Sequence, residues 1–229
     1  MRPAMALIAP SLLAWDFARL GDALDAIKAA GARLVHIDVS DGHFAGEITV
    51  GPPVIRRLRK ATDRVLEVHM LVERPERYVE EVLAAGADRL AVHAESTANL
   101  HAVIEVIHAR GGKAGVALNP ATPVEAVAEV TADLDFLILL TADPGSNVER
   151  FIPAMLEKVR RASRLRTDAR RRMEIEVEGG IGIEHVEKLA QAGADILVAG
   201  SAIMNNENPK ARLSEMIRLA VAANQTLTV

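Results

Sequence analysis

Short apolar runs alternate with longer amphipathic stretches along the chain. Three of the amphipathic stretches end in the same tripeptide, Ala-Gly-Ala, centred on Gly31, Gly86 and Gly193, and an apolar run follows each one within a few residues. A glycine just past a helix end takes the left-handed cap conformation, and a short apolar run after it is typical of a buried strand. The pattern therefore predicts repeated helix–strand units.

The spacing of these copies predicts how many units the chain holds. They lie 55 and 107 residues apart, close to two and four units of about 29 residues, an eighth of the chain. Strands are predicted near residues 6–10, 34–39, 65–69, 89–93, 113–118, 134–140, 174–178 and 195–199. Helices are predicted near residues 16–30, 53–61, 76–85, 97–110, 123–131, 153–170, 183–192 and 208–223. Eight such units favour an α/β fold, a parallel (β/α)8 TIM barrel, and the alternative is an open doubly wound sheet.

Composition limits the classes of function. The 229 residues are 50% hydrophobic, enough for one sizeable core, so residues 1–229 are predicted to form one domain. A net charge of −4 offers no basic field for nucleic acid or an anionic membrane. The sequence lacks Cys, which excludes thiolate nucleophiles and Cys-ligated metals. With no membrane-length apolar run and no signal-type cleavage pattern, we expect a soluble, cytoplasmic protein.

Candidate chemistry lies at the predicted strand ends, where barrels of this type carry their active sites. His36 and Asp38 share one face of strand 2, because alternate strand residues point the same way. Strand 3 ends in His69, and strand 7 carries three glutamates, Glu174, Glu176 and Glu178. Imidazoles and carboxylates that converge in this way could hold Zn, Mn, Fe(II) or Co with positions left open for a substrate. The alternative is that each histidine is a hydrogen-bonded core residue.

Two glycine-containing turns suggest a phosphate site. Gly179 and Gly180 follow strand 7, and Gly200 and Ser201 follow strand 8 and lead towards a short helix. Loops after strands 7 and 8 of a barrel offer backbone N–H groups and a helix N-terminus to a phosphate. The alternative is that these are ordinary turn glycines.

These residues belong to a longer series of motifs. They are Ile8–Leu13, His36–Asp38, Asp41–Phe44, Gly51–Val54, Val68–His69, Leu118–Pro123, Gly179–Ile181 and Ala199–Ile203. In this order, over about residues 7 to 204, the chain resembles the ribulose-phosphate 3-epimerase family. The resemblance implies a ribulose-phosphate-binding barrel, an isomerase that inverts C3 of a ketose phosphate in carbohydrate metabolism, usually ribulose 5-phosphate to xylulose 5-phosphate in the pentose phosphate pathway.

The resemblance also implies roles for single residues. His36, Asp38, His69 and Glu178 would bind one divalent metal ion, and Asp38 and Glu178 would transfer protons on opposite faces of the substrate through a metal-stabilised enediolate. The substrate and its phosphate would contact Ser11, His69, Gly145, Gly179, Gly180, Gly200 and Ser201. The family further implies a homo-oligomer, a dimer or a hexamer, with a sugar phosphate as the partner.

The chain departs from the family pattern at three places. Glu178 stands where the family has an aspartate, which moves the carboxylate out by ~1.5 Å. Ser40, Leu71 and Leu140 replace methionines near the reacting carbons. The loop after strand 6, residues 143–149, loses two glycines and gains Asp143 and Glu149, while Arg150 follows. Because of these departures, one alternative is the same chemistry on another ketose phosphate or sugar derivative, such as a hexulose phosphate. Another alternative is a catalytically weak relative that acts as a binding protein. A metal-free phosphate-binding barrel, such as an isomerase or lyase of tryptophan biosynthesis, is a further rival.

Some polar residues receive no firm role. Glu67 and Glu176 lie two residues below His69 and Glu178, either as partners that orient the imidazoles or as hydrated groups inside the barrel. The segment from Arg160 to Arg172 holds seven arginines and is interpreted as a solvated helix end. Surface or core packing is expected of the remaining histidines, His43, His93, His101, His108 and His185.

Overall fold

A computed structural model describes residues 6–145, 150–168 and 173–225, and within them eight parallel strands form one sheet in the order β1-β8-β7-β6-β5-β4-β3-β2. A parallel bridge between Ser11 and His36 joins β1 to β2 and closes the sheet. The prediction of a (β/α)8 barrel is confirmed, and the open sheet was the wrong alternative. The strands are β1 Leu7–Pro10, β2 Leu34–Ser40, β3 Val65–Leu71, β4 Arg89–His93, β5 Lys113–Leu118, β6 Phe136–Leu140, β7 Glu174–Glu178 and β8 Ile196–Ala199.

Helices follow the strands around the outside of the barrel. The α-helices are α1 Leu20–Ala29, α2 Pro52–Ala61, α3 Val79–Ala84, α4 Leu100–Ala109, α5 Met155–Asp168, α6 Ile183–Ala192, α7 Ser201–Met204 and α8 Pro209–Gln225. The three repeated glycines that predicted this layout adopt φ values of 85° at Gly31 and 111° at both Gly86 and Gly193. They therefore end their helices in the left-handed conformation that only glycine adopts without strain.

One predicted helix has a different form. The segment expected as a helix near residues 123–131 forms 3₁₀ turns over Val124–Asp133. Val124, Val127, Val130 and Thr131 are β-branched, and such side chains lower the preference for a regular α-helix. The segment still buries Val124 and Val127 against the core, so its apolar periodicity was interpreted correctly and its helix type was not.

The barrel separates two kinds of interior. Outward-facing strand residues such as Val35, Ile37 and Val68 join one large apolar cluster with the surrounding helices. Inside the barrel, two small apolar clusters centre on Phe136 and on Val198. Further interior positions on β2, β3, β4 and β7 are polar and buried, namely His36, Asp38, Glu67, His69, Arg89, His93 and Glu176. The part of the barrel interior lined by these four strands therefore consists largely of ionisable side chains.

The arginine segment splits into two parts. Arg160 and Arg164 are exposed and pair with Glu157, as expected of a solvated helix face. Arg166 differs, because it is buried and binds Asp195 together with the carbonyls of Met173 and Gly193. It therefore ties α5 to the strands β7 and β8. Arg170, Arg171 and Arg172 lie outside the described residues.

Within the described part of the chain, no helix combines the length and apolar character needed to cross a membrane. That the chain forms a single domain stays a prediction. Ser146, Asn147, Val148 and Glu149, which carry most of the altered loop after β6, lie outside the described residues.

Replacing Arg166 is expected to destabilise the fold. In Arg166→Ala the buried Asp195 carboxylate loses its cation, and we expect a loss of about 3–5 kcal/mol in the free energy of unfolding measured in urea. The matched control is Arg164→Ala, whose side chain is 60% exposed and should change stability by less than ~0.5 kcal/mol. Equal effects of the two substitutions would contradict the structural role of Arg166.

Candidate metal and substrate site

Four ligand atoms converge at the carboxyl ends of β2, β3 and β7. His36 Nε2 lies 3.2 Å from Asp38 Oδ1 and 3.4 Å from Glu178 Oε2. His69 Nδ1 lies 3.4 Å from Asp38 Oδ1 and 2.9 Å from Glu178 Oε2. All four atoms lie within 4.8 Å of one another. The structure thus brings together the four residues that the sequence placed at one centre.

Strand geometry explains the convergence. His36 and Asp38 are two residues apart on β2 and face the interior together. Asp38 is also directly opposite His69 in the register of β2 and β3. Glu178 reaches the same point from β7, which is separated from β2 by β8 and β1. A closed barrel is required for this meeting, because in an open sheet β7 and β2 would point to different places.

The cluster fits a divalent cation on the chemistry of its atoms. His69 Nδ1 and Glu178 Oε2 are both buried and have no hydrogen-bond partner, although they lie 2.9 Å apart. Their mutual geometry is therefore not that of a hydrogen bond, and unpaired buried polar atoms are costly. Two imidazole nitrogens and two carboxylate oxygens are ligands that Zn, Mn, Fe(II) and Co accept. The four side chains form a possible site for such an ion.

Charges in the cluster shift the protonation equilibria of both histidines. Burial alone lowers the pKa of His69, but the carboxylates of Glu178 and Asp38 raise it to about 9. The pKa of His36 is raised well above its ordinary value, because the same two carboxylates outweigh its burial. The carboxylates respond in the opposite direction. Burial raises the pKa of Asp38, but the two histidines lower it well below its ordinary value.

The second nitrogen of His36 contacts two glutamates. Nδ1 lies 3.1 Å from Glu67 Oε1, in a hydrogen bond, and 3.3 Å from Glu176 Oε1. Both glutamates are fully buried, and these contacts are those of partners that orient the imidazole of His36. Of the two imidazoles, His36 is the one that both glutamates contact. Glu67 is directly opposite His36 in the strand register, which draws it away from His69.

Arg89 holds these buried carboxylates together. It binds Glu67, lies 2.6 Å from Glu174 and 3.7 Å from Glu176, and so crosses the barrel from β4 to β7. Burial and the charge of Glu67 raise the pKa of Glu176 to about 8. Burial also acts to raise the pKa of Glu67, but His36 and Arg89 lower it to about 2. Arg89 therefore balances the charge of Glu67, while the pKa of the neighbouring Glu176 moves in the opposite direction.

His93 is the residue that sequence reasoning missed. It is fully buried at the end of β4, and its Nε2 lies 2.8 Å from His69 Nε2. Its other nitrogen, Nδ1, is 3.1 Å from Glu95 Oε2. Burial and the charge of His69 lower the pKa of His93 to about 4, against the opposing effect of Glu95. The signal was present, because His93 ends a predicted strand as His69 does.

A cavity of about 640 Å³ opens above the cluster and is lined by Ser11, Asp38, His69, Gly145, Glu178, Gly179, Gly180, Gly200 and Ser201, among others. Ser11 donates a hydrogen bond of 2.7 Å to Asp38 Oδ2. Gly179 and Gly180 have φ values of 108° and 62°. A Cβ on Gly145 would overlap the amide of Gly46, so a glycine is needed where these loops touch. The residues predicted for substrate and phosphate therefore line one cavity.

Several of the departures from the family pattern also face this cavity. Leu71 and Leu140 line it, as do the carboxylate-bearing Glu47 and Asp143. The Ser40 hydroxyl lies 3.5 Å from the carbonyl of Ala45. Among the described residues, none of those that line the cavity is Lys or Arg. Backbone amides and neutral polar side chains, among them Asn205, are thus what the described wall offers to an anion.

A family model described as the ribulose-phosphate 3-epimerase family matches residues 7–204. The chain belongs to this family. Two relatives, each named ribulose-phosphate 3-epimerase, illustrate the similarity. The Bacillus subtilis protein is 42% identical and the match covers 93% of this chain and 98% of the relative. The Escherichia coli protein is 38% identical, with 92% of this chain and 94% of the relative covered. Membership in the family confirms the resemblance, and family members with this name are carbohydrate epimerases of the isomerase class.

Solved structures show the same barrel at low sequence identity. 3-Hexulose-6-phosphate synthase from Salmonella typhimurium matches with a TM-score of 0.69 and 18% identity, covering 96% of this chain and 100% of that chain. A tryptophan synthase alpha-subunit from Pyrococcus furiosus matches with a TM-score of 0.68 and 15% identity, covering 96% and 98%. At these identities the likeness shows the fold alone.

Removal of Arg89 is expected to unbalance the barrel interior. Arg89→Met keeps the volume but leaves Glu67 and Glu176 without their cation, and we expect a loss of about 3–5 kcal/mol in the free energy of unfolding. Arg56→Met is the control, because Arg56 is 48% exposed and lies 3.9 Å from Glu81 on the surface. Urea unfolding of both variants measures the difference. An Arg89→Met protein as stable as the wild type would contradict the charge balance described above.

Proposed function

We propose that the protein is a metal-dependent epimerase that inverts C3 of a ketose phosphate, of the ribulose 5-phosphate and xylulose 5-phosphate type. The observation that carries this proposal is the cluster of four ligand atoms from three strands, in which Asp38 and Glu178 both take part. Family membership supports the reaction class. The glycines and Ser201 around the cavity support a phosphorylated substrate.

Inversion beside a carbonyl requires that one group removes the C3 proton and that another returns a proton to the opposite face. Asp38 and Glu178 suit these two roles, because β2 and β7 approach the cavity from different sides. A divalent ion bound by His36, Asp38, His69 and Glu178 would act as a Lewis acid that stabilises the negative charge of the enediolate. With a carboxylate at each face, either epimer can lose its C3 proton to one group and receive a proton from the other.

Ser11 supports the role of Asp38. Its hydroxyl donates to Oδ2, while Oδ1 is the atom that faces the two histidines. The hydrogen bond fixes the plane of the carboxylate, so that Oδ2 accepts from Ser11 while Oδ1 stays directed at the histidines. Proton transfer rates depend on such positioning at the level of about 1 Å. Ser11 therefore keeps the carboxylate aligned in addition to any contact it makes with substrate.

The same chemistry on a different ketose phosphate, such as a hexulose phosphate, is the second candidate. It is supported by the cavity wall, where Glu47 and Asp143 place carboxylates beside the space for the substrate. Leu71 and Leu140 form an aliphatic wall there. These residues affect which sugar fits and leave the proton-transfer groups unchanged.

The test follows solvent deuterium into C3. Protein loaded with Co²⁺, Zn²⁺, Mn²⁺ or Fe²⁺, and metal-free protein, are incubated in D₂O with a panel of ketose phosphates and free ketoses and examined by NMR. We expect deuterium at C3 together with the epimer, in the metal-loaded protein and with phosphorylated ketoses. Asp38→Asn and Glu178→Gln should each abolish epimer formation, because each removes one proton-transfer group.

The control is Glu187→Gln, on the exposed face of α6, which should behave like the wild type. The substrate that reacts fastest separates the two candidate substrates. Absence of exchange with the whole panel, in protein shown to bind metal, would contradict an epimerase of ketoses. Equal exchange in metal-free protein would contradict metal dependence.

Shortening Glu178 should weaken metal binding in this chain. Glu178→Asp restores the residue typical of the family but draws the carboxylate back by ~1.5 Å from a position where Oε2 now lies 2.9 Å from His69 Nδ1. We expect Co²⁺ affinity, measured by competition with a chelator, to fall by about 10-fold or more. Glu187→Asp is the matched control. An unchanged or higher affinity would mean that the barrel adjusts freely to either length.

A further inference from the structure

The second ring nitrogen of His69 has a partner that the proposed reaction does not use. His69 Nε2 lies 2.8 Å from His93 Nε2, and the two rings stack with centroids 4.9 Å apart. Both side chains are fully buried. One of the two nitrogens must donate and the other accept, so the protonation of the two rings is linked.

The other end of His93 is fixed by a carboxylate. His93 Nδ1 lies 3.1 Å from Glu95 Oε2. The second oxygen of Glu95 accepts from the Asn119 amide at 2.8 Å and from the Thr122 hydroxyl. Burial raises the pKa of Glu95, but the hydrogen bonds from His93, the Thr122 hydroxyl and the Asn119 amide lower it to about 2. An ionised carboxylate accepts only, so His93 Nδ1 must carry the proton.

The direction of the remaining hydrogen bond follows. With Nδ1 protonated, a neutral His93 offers only Nε2 as an acceptor, and His69 Nε2 must then donate. The lone pair of His69 is left on Nδ1, the atom that faces Asp38 and Glu178. In the opposite arrangement His93 is doubly protonated and His69 carries its proton on Nδ1, where it would block a metal ion.

We propose that His93 and Glu95 are positioning residues that hold His69 as its Nε2–H tautomer and so direct the Nδ1 lone pair at the metal position. This inference rests on the proposed function, which needs His69 as a ligand. It also gives a role to two sequence motifs that the reaction leaves unused. Phe44 packs on the His93 ring with centroids 4.5 Å apart, and the 119–123 turn supplies both donors to Glu95.

The turn that holds Glu95 is itself anchored. Lys158, buried on α5, donates to the carbonyls of Asn119 and Pro120 at 2.6 and 3.4 Å. The chain of contacts therefore runs from α5, through the turn after β5, to Glu95, His93 and His69. Such outer partners of a ligand histidine typically change metal affinity by about 10–100-fold when they are removed.

The first measurement reads the tautomers directly. Long-range ¹H–¹⁵N NMR spectra of ¹⁵N-labelled protein distinguish protonated from unprotonated ring nitrogens, in metal-free and in Zn²⁺-loaded protein. We expect His93 to be neutral with the proton on Nδ1 in both forms, and His69 to carry a proton on Nε2 in the loaded form. A proton on Nε2 of His93, or on both of its nitrogens in the loaded protein, would overturn the proposal.

The second measurement is Co²⁺ affinity by chelator competition, with the visible absorption of bound Co²⁺ as a readout of ligand geometry. His93→Leu should lose about 10–100-fold in affinity and alter the spectrum. His93→Gln should restore most of both, because its amide can accept from His69 and donate to Glu95. His108→Leu is the matched control, since His108 forms a similar pair with Asp135, at 2.9 Å, away from the site.

The outcomes distinguish a failure of the positioning role from a failure of the proposed function. Epimerisation by the wild type together with unchanged Co²⁺ affinity and spectrum in His93→Leu would overturn the positioning role and leave the function in place. Tautomers as expected with loss of affinity in His93→Leu would support it, whatever substrate is turned over. If His93→Leu does not fold, the NMR measurement on the wild type still decides.

Discussion

Charged groups in the interior of a small barrel must balance one another, because eight strands leave space for side chains and little for water. Here Glu67 and Glu176 lie fully buried below the ligand cluster, and Arg89 reaches both from β4. These carboxylates face Nδ1 of His36 and so turn its Nε2 towards Asp38. The candidate site therefore depends on an ionic layer beneath it, in which Arg89 supplies positive charge to the two buried glutamates.

The sequence predicts those features of the site that are fixed along a single strand better than those that depend on contacts between strands. Strand positions follow from apolar runs and glycine caps, and alternation along β2 and the strand ends are enough to place His36, Asp38, His69 and Glu178 together. Alternation gives the face of a strand but not the neighbour towards which a side chain tilts. For that reason the interpretation of Glu67 and Glu176 as partners of the imidazoles named no particular histidine, and the contact of His93 with His69 went unrecognised. Both contacts depend on the register between neighbouring strands, which alternation along a single strand does not give.

Glu178 stands where the resemblance to the family implies an aspartate, so its carboxylate lies one methylene further from the backbone than that residue would place it. Its backbone is held by Thr141 at the end of β6, where the Thr141 amide and hydroxyl both donate to the Glu178 carbonyl, at 2.6 and 2.9 Å. A Cβ on Gly179 would press against Ala142, so the backbone there cannot easily shift. With the backbone anchored, the extra methylene moves the carboxylate inwards. The contact between Oε2 and His69 Nδ1 results from that reach.

The cluster can reach neutrality in two ways that exclude each other. Asp38 and Glu178 bring two negative charges to four converging ligand atoms, and without an ion the two carboxylates raise the pKa values of His36 and His69, so that protons supply the balancing charge. A divalent cation supplies the same two charges but requires both imidazoles as neutral ligands. Protons and metal therefore compete for the same nitrogens. A partner that accepts from Nε2 of His69 leaves Nδ1 as the one ring atom for which proton and metal compete, so the competition is decided beside the carboxylates of Asp38 and Glu178.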